Sequence, residues 1–253
     1  MFNQNNNSPY GGPFGRGNGR GNNSFGSQYQ YQTRPYGYQG TASSGLIGKV
    51  MALLAFSFIF ATLGTFVGTL FLPAMGFGSY LILVLIGFGV LFALRIFIQR
   101  PGLNLFLLYL FTFIEGLSLG PIVSAYTSSG ASNILGEAFV ITALTSLGLG
   151  LYAWTTKRDF SRLGDYLFMG LILLLVTGLI GIFFHSTLFS LVIAFVGVAI
   201  FSGYVLFYVQ RARYMEDTLP NAIGLTASLF ITIMNLFLYI LEILSIVSGG
   251  RRR

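Results

Sequence analysis

From Lys49 onward, long apolar runs alternate with short polar breaks. Seven runs can be delimited, at about 50–71, 80–98, 103–125, 137–155, 166–184, 188–209 and 222–247. Each is close to the ~20 residues a helix needs to cross the hydrocarbon core of a bilayer. Helices are the expected form, because an open sheet would leave backbone groups unpaired in lipid. A transmembrane barrel would alternate apolar and polar residues rather than run continuously apolar. The pattern predicts an all-α membrane protein with a seven-helix transmembrane domain over residues 45–247.

The first 44 residues differ in kind. Asn, Gly, Gln and Tyr dominate, and no aliphatic residue appears before Ala42. Such a segment buries too little apolar surface to offset its ordering entropy, so a disordered, solvated tail is expected. Its Arg-Gly and Tyr pattern also suits RNA binding or self-association. A solvated tail is the simpler account, and no nucleic-acid partner is expected. The tail holds no apolar core, so the first membrane segment is expected to direct insertion itself. At the other end, residues 248–253 form a short basic tail ending in "GGRRR".

Composition narrows the chemistry. Of 253 residues, 54% are hydrophobic and 8% charged, and the mean hydropathy is +0.75; a soluble domain carries about 25% charge. Cysteine is absent, which excludes disulfides, thiol nucleophiles and zinc–thiolate sites. One histidine, His185, leaves little room for metal centres or Ser–His machinery. The net charge of +7 is distributed by side. Arg16, Arg20, Arg34 and Lys49 precede the first run. Arg100, with Arg95 just inside run two, marks the second-to-third link. Lys157, Arg158 and Arg162 mark the fourth-to-fifth, and Arg211 and Arg213 the sixth-to-seventh. The other three links hold no Lys or Arg. This alternation fits the positive-inside rule with a cytoplasmic N-terminus. Seven crossings put the C-terminal arginines outside, against that rule, unless the last segment turns back. Seven full crossings are the expectation.

Four charges fall within the runs: Arg95, Glu115, Glu137 and Glu242. Arg95 and Glu137 lie near run ends, where long side chains reach the interface. Glu115, in "FTFIEGLSLGPIV", is near the middle of run three. A charge there costs about 2.5–3.5 kcal/mol on insertion scales, so Glu115 is expected to face protein or water, or to stay protonated. Run seven carries a stripe: Ser228, Thr232, Asn235, Tyr239 and Glu242 share one helical face. A polar stripe is costly against lipid, so this face points inward and run seven is expected to be central. Hydrogen bonding between helices, about 0.6 kcal/mol per contact, accounts for Ser228 and Thr232; function is the favoured reading for Glu115 and Glu242. Gly64 with Gly68, and Gly116 with Gly120, have the small-xxx-small spacing that lets helices approach closely, and packing is their expected role.

Catalytic motifs fail. "GLSLG", 116–120, matches G-x-S-x-G formally but lies within a membrane run, without the strand–turn–helix setting or partner histidine it requires. The zinc-protease, P-loop and dinucleotide fingerprints are absent. No enzymatic activity is expected, and no cofactor beyond a transient calcium or other cation.

Three stretches together carry a resemblance. "LLYLFTFIEGLSLGPIVSAY", "AFVGVAIFSGYVLFYVQR" and "ASLFITIMNLFLYILEIL" resemble the third, sixth and seventh helices of the Bax inhibitor-1 family, in its bacterial YccA-like branch. The resemblance covers 45–247. It implies six helices around a central seventh and a bacterial inner membrane. It also implies a pH-regulated cation leak, typically of calcium, with links to stress or cell-death control. Bacterial relatives include a modulator of a membrane-bound AAA protease. In many members two aspartates, in helices six and seven, form a proton-sensing pair. Here the matching positions hold Tyr208 and Thr232, and neither titrates near neutral pH as a carboxylate can. In a subset of bacterial relatives, motifs in helices three and seven match Glu115 and Glu242.

The ion-pathway or proton-sensing candidates are therefore Glu115, Glu242, Asn235, Thr232, Tyr208 and Arg95. Glu115 and Glu242 either share a proton or cation, or stand as two stations on one path. Their positions differ by roughly 10 Å of helix rise, so direct contact needs a tilt or kink, with Gly120–Pro121 the natural place. The expected function is a calcium or cation leak. The alternative is a non-conducting protein that docks on a membrane protease. A proton-coupled transporter is disfavoured, since no inverted repeat or paired broken helices appear.

Overall fold

A run of apolar residues in lipid satisfies its own backbone only by coiling on itself, and all seven runs do. The structure, a computed structural model, describes residues 44–72, 77–181, 183 and 186–250. Its helices are α1 Ser44–Phe71, α2 Phe77–Ile96, α3 Leu103–Ser128, α4 Ser132–Thr155, α5 Leu163–Gly181, α6 Thr187–Ala212 and α7 Leu219–Gly250. Six are long and apolar enough to cross a membrane; in α2 the shorter stretch Ile82–Ile96 is the apolar part. The tail expected over 1–44, Ser44 apart, lies outside the described residues, as do His185 and residues 251–253.

Helix ends differ from the apolar runs in instructive ways. α4 starts at Ser132 rather than 137. Ile134 and Ala138 are buried, which holds the extra turn in place, and Glu137 is exposed inside the helix. α7 runs unbroken to Gly250. Its end shares a crevice with Ala125, Tyr126 and Ser129 at the end of α3, so α7 finishes at the same end of the bundle as α3. A returning last segment is thereby excluded.

Two helices occupy the interior. No residue of α7 from Pro220 to Ile246 is exposed, and none of α3 from Leu107 to Ser124. α7 packs against α1, α3, α4 and α6, while α2 packs on α3 and α5 on α6. The central seventh helix is as expected; the enclosure of α3 adds a second.

α1 and α3 meet backbone to backbone. A methyl group added at Gly116 would lie 2.0 Å from the Ala61 carbonyl oxygen, and one at Gly64 2.1 Å from that of Phe113. Higher up, Gly68 lies against Leu117 and Gly120. Pro121 has no N–H to give the Leu117 carbonyl, and that oxygen is the atom nearest to a methyl built on Gly68. Proline thus interrupts the internal bonding of α3 at a point where α1 lies close against it, without ending the helix. The Thr65 hydroxyl spans the seam, shared between the carbonyls of Ala61 (2.9 Å) and Gly116 (3.0 Å).

The basic links collect at one end and are fastened there. Lys49 pairs with Asp217 at 2.9 Å, joining α1 to the α6–α7 link. The buried Gln210 amide accepts a hydrogen bond from the Phe160 N–H and donates one to the Arg158 carbonyl. Arg213 donates to the Thr156 carbonyl at 3.1 Å and lies over the Trp154 ring. Within the same link Asp159 accepts from the Ser161 N–H at 2.8 Å, which holds its carboxyl below the ordinary carboxylate range. Every Lys and Arg among the described residues lies at this end.

Candidate functional site: carboxylates of the two inner helices

Glu115 shares a helical face with Leu108, Phe111 and Ile122. These neighbours pack toward α7. Leu108 clusters with Ile223 and Ala227, the Phe111 ring meets Phe230 edge-on at 6.2 Å, and Ile122 packs on the cluster holding Leu236 and Ile240. Glu115 therefore rises from the inward face of α3. Its carboxylate reaches sideways to α2, where a methyl group on Gly87 would lie 3.5 Å from Oε1. Gly87 is thus the part of α2 that faces the acid. Glu115 is half-buried and has no hydrogen-bond or ion-pair partner among the described residues.

Glu242 lies nearer the end of the bundle opposite the basic links. It lines an open crevice of about 660 Å³ between α3, α5, α6 and α7. The polar lining is Tyr126 from α3, Ser186 just before α6, Thr187 and Ser190 from α6, and Ser245 from α7. Glu242 also lacks a hydrogen-bond or ion-pair partner among the described residues. The crevice meets α3 at Ile122 and Tyr126, seven and eleven residues beyond Glu115, roughly 10–16 Å along the helix. The structure thus does not bring the two carboxylates into one cavity. α3 continues through Pro121 as helix, and the acids stand at two levels.

The remaining candidates separate. Thr232 is buried and donates back to the Ser228 carbonyl at 2.7 Å; Asn235 donates to the Ile231 carbonyl at 2.8 Å. Ser228 does the same toward Gly224 at 2.9 Å. The stripe satisfies these groups within α7 rather than across helices, which corrects the interhelical bonding expected of Ser228 and Thr232. Tyr239 stacks on Phe201 at 5.7 Å, Phe201 lies 6.1 Å from Tyr204, and Tyr204 stacks on Tyr208 at 5.6 Å. Tyr208 is thus part of an aromatic column along α6, at the position where the resemblance places an aspartate in many members. Arg95 is exposed in the last turn of α2, eight residues from Gly87, roughly 12 Å of rise away from the level of Glu115. It does not belong with the inner acids. Gly87 and the crevice hydroxyls escaped notice in the sequence, because single glycines and serines near helix ends are too common there to signal anything.

The comparisons agree with this architecture. A family model described as "Inhibitor of apoptosis-promoting Bax1" matches residues 43–249. An uncharacterized protein of Campylobacter jejuni is 34% identical over 217 residues, covering 82% of this chain and 92% of its own length. The Golgi anti-apoptotic protein of Vaccinia virus (strain Lister) is 32% identical over 204 residues, 78% of this chain and 84% of its own. Protein lifeguard 4 of Mus musculus is 34% identical over 161 residues, 63% of this chain and 65% of its own. A helical bundle with a central last helix, matched from the start of α1 to the end of α7, belongs to the Bax inhibitor family of integral membrane proteins.

Proposed function

We propose that this protein is a cation leak of a bacterial inner membrane, with its N-terminus cytoplasmic, and that Glu115 and Glu242 are successive stations for calcium or protons. One observation carries the proposal. Two carboxylates rise from the two most enclosed helices, at different levels, with no cationic partner among the described residues. Acids so placed in a membrane protein are costly, and such residues commonly mark ion or proton pathways. The basic end supports the orientation through the positive-inside rule. Nothing in the site calls for an enzymatic role: the Ser118 hydroxyl of "GLSLG" donates to the Ile114 carbonyl at 3.1 Å, inside α3. Stress or ion homeostasis is the physiological setting in this proposal.

Calcium flux into proteoliposomes across pH 5–8 tests it. Wild type is expected to pass calcium at a pH-dependent rate. Glu115→Gln is expected to slow the initial rate roughly tenfold, as when one charge-dependent step loses about 1.4 kcal/mol. Folded wild-type protein that passes no more calcium than empty liposomes sinks the leak. It would direct attention to a non-conducting partner of a membrane protease.

A further inference from the structure

We propose that the crevice beside Glu242 binds a small organic ammonium ion, with Glu242 as its counter-charge. Its volume, about 660 Å³, falls in the roughly 300–1,000 Å³ range of small-molecule sites. That is far more room than one bare metal ion fills. A lasting calcium site is built mainly from carboxylates and carbonyls, about six to eight oxygens in all, whereas this lining has one carboxylate among hydroxyls, a station an ion can pass rather than a cage that keeps it. Among the described residues there is no group of three or more His, Cys, Asp or Glu that could hold a metal.

The lining suits an amine instead. Glu242 supplies a full charge, and the lining includes Tyr126, an aromatic ring of the kind that attracts organic cations. The hydroxyl oxygens of Thr187 and Ser190 accept hydrogen bonds from an N–H-bearing head group. Leu238 and Leu241 give an apolar body somewhere to lie. The surroundings favour a cation as well. Among the described residues of the lining, α5 contributes Gly181, the start of α6 hydroxyls, and α3 Ile122 and Tyr126, so Glu242 is the one charged side chain among them. The described residues at this end include the exposed Glu137 and no Lys or Arg. The arginines at 251–253, and His185 next to Ser186 in sequence, lie outside the described residues. The site stands whether or not ions cross the bundle.

Calorimetric titration of the full chain in lipid nanodiscs at pH 8 tests this, with 2-phenylethylammonium as probe. The neutral 2-phenylethanol and calcium chloride are the comparisons. Saturable heat above that of empty nanodiscs is expected for the ammonium. Its affinity should fall about tenfold or more in Glu242→Gln, a loss of about 1.4 kcal/mol. Ser190→Leu, which keeps the charge but fills the crevice, should abolish binding, and it decides the matter if Glu242→Gln does not fold. The proposal is overturned by absence of saturable binding, or by equal binding of the alcohol. It is equally overturned by affinity unchanged in a folded variant, or by calcium binding where the ammonium does not. Because the readout is binding and not flux, failure here is distinct from failure of the leak.

Discussion

Gly116 has no room for even one more carbon. Its added methyl would meet the Ala61 carbonyl at 2.0 Å, and backbone cannot step aside as a side-chain tip can. Gly116→Ala is therefore expected to destabilise the bundle by about 1–3 kcal/mol. Gly148, by contrast, has nothing within 4 Å of an added methyl. There the better helix propensity of alanine makes Gly148→Ala neutral or stabilising by up to about 1 kcal/mol. Thermal unfolding of both variants in detergent checks the pair; equal midpoints would contradict the α1–α3 seam. At the same scale, Gly87 matters for another reason. It is the place where α2 faces the Glu115 carboxylate, and an added methyl there would meet Oε1 at an ordinary contact distance of 3.5 Å, so Gly87→Ala places a methyl against the acid without breaking a packing seam.

Among the elements, the α4–α5 link is the clearest case of one residue fastening a segment. Gln210 uses both ends of its amide on that link. Gln210→Met would leave the Phe160 N–H and the Arg158 carbonyl without these partners, at a cost of about 1–3 kcal/mol. Amide hydrogen exchange over residues 156–161 is expected to quicken about tenfold or more, with α7 little changed. An unchanged rate would mean that the link is held by other contacts. Most elements could be read from the chain, because a twenty-residue apolar run in lipid has one stable form. The centrality of α7 was also legible, from the recurrence of Ser228, Thr232, Asn235, Tyr239 and Glu242 on one face. The partners were not. That Gly116 meets Ala61, that Glu115 turns to Gly87, and that α3 is as enclosed as α7 depend on how helices cross. Crossing leaves no periodic mark on a helix that is apolar on nearly every side. Gln210 was invisible for a related reason: its partners are backbone atoms of a link, which carry no residue identity.

For the molecule as a whole, charge divides the two ends. Lys49, Arg100, Lys157, Arg158, Arg162, Arg211 and Arg213 lie at one end, and the described residues of the other hold none. The absence of native cysteine makes the orientation directly readable. Ser129 and Ser161 are exposed in links at opposite ends. Ser129→Cys is expected to react with an impermeant maleimide in intact bacterial spheroplasts, and Ser161→Cys only after permeabilisation. The reverse result would invert the proposed topology. The enclosure of α7 also bears on how the protein is made. Its 32 residues follow the other six helices along the chain, yet they fill the middle of the bundle. The α1–α3 seam can zip while synthesis continues. The faces of α1, α3, α4 and α6 that will pack on α7 must wait in the membrane without it. A chain cut short before Leu219 is thus a wheel without its hub, and the bundle stays open until α7 arrives to close it.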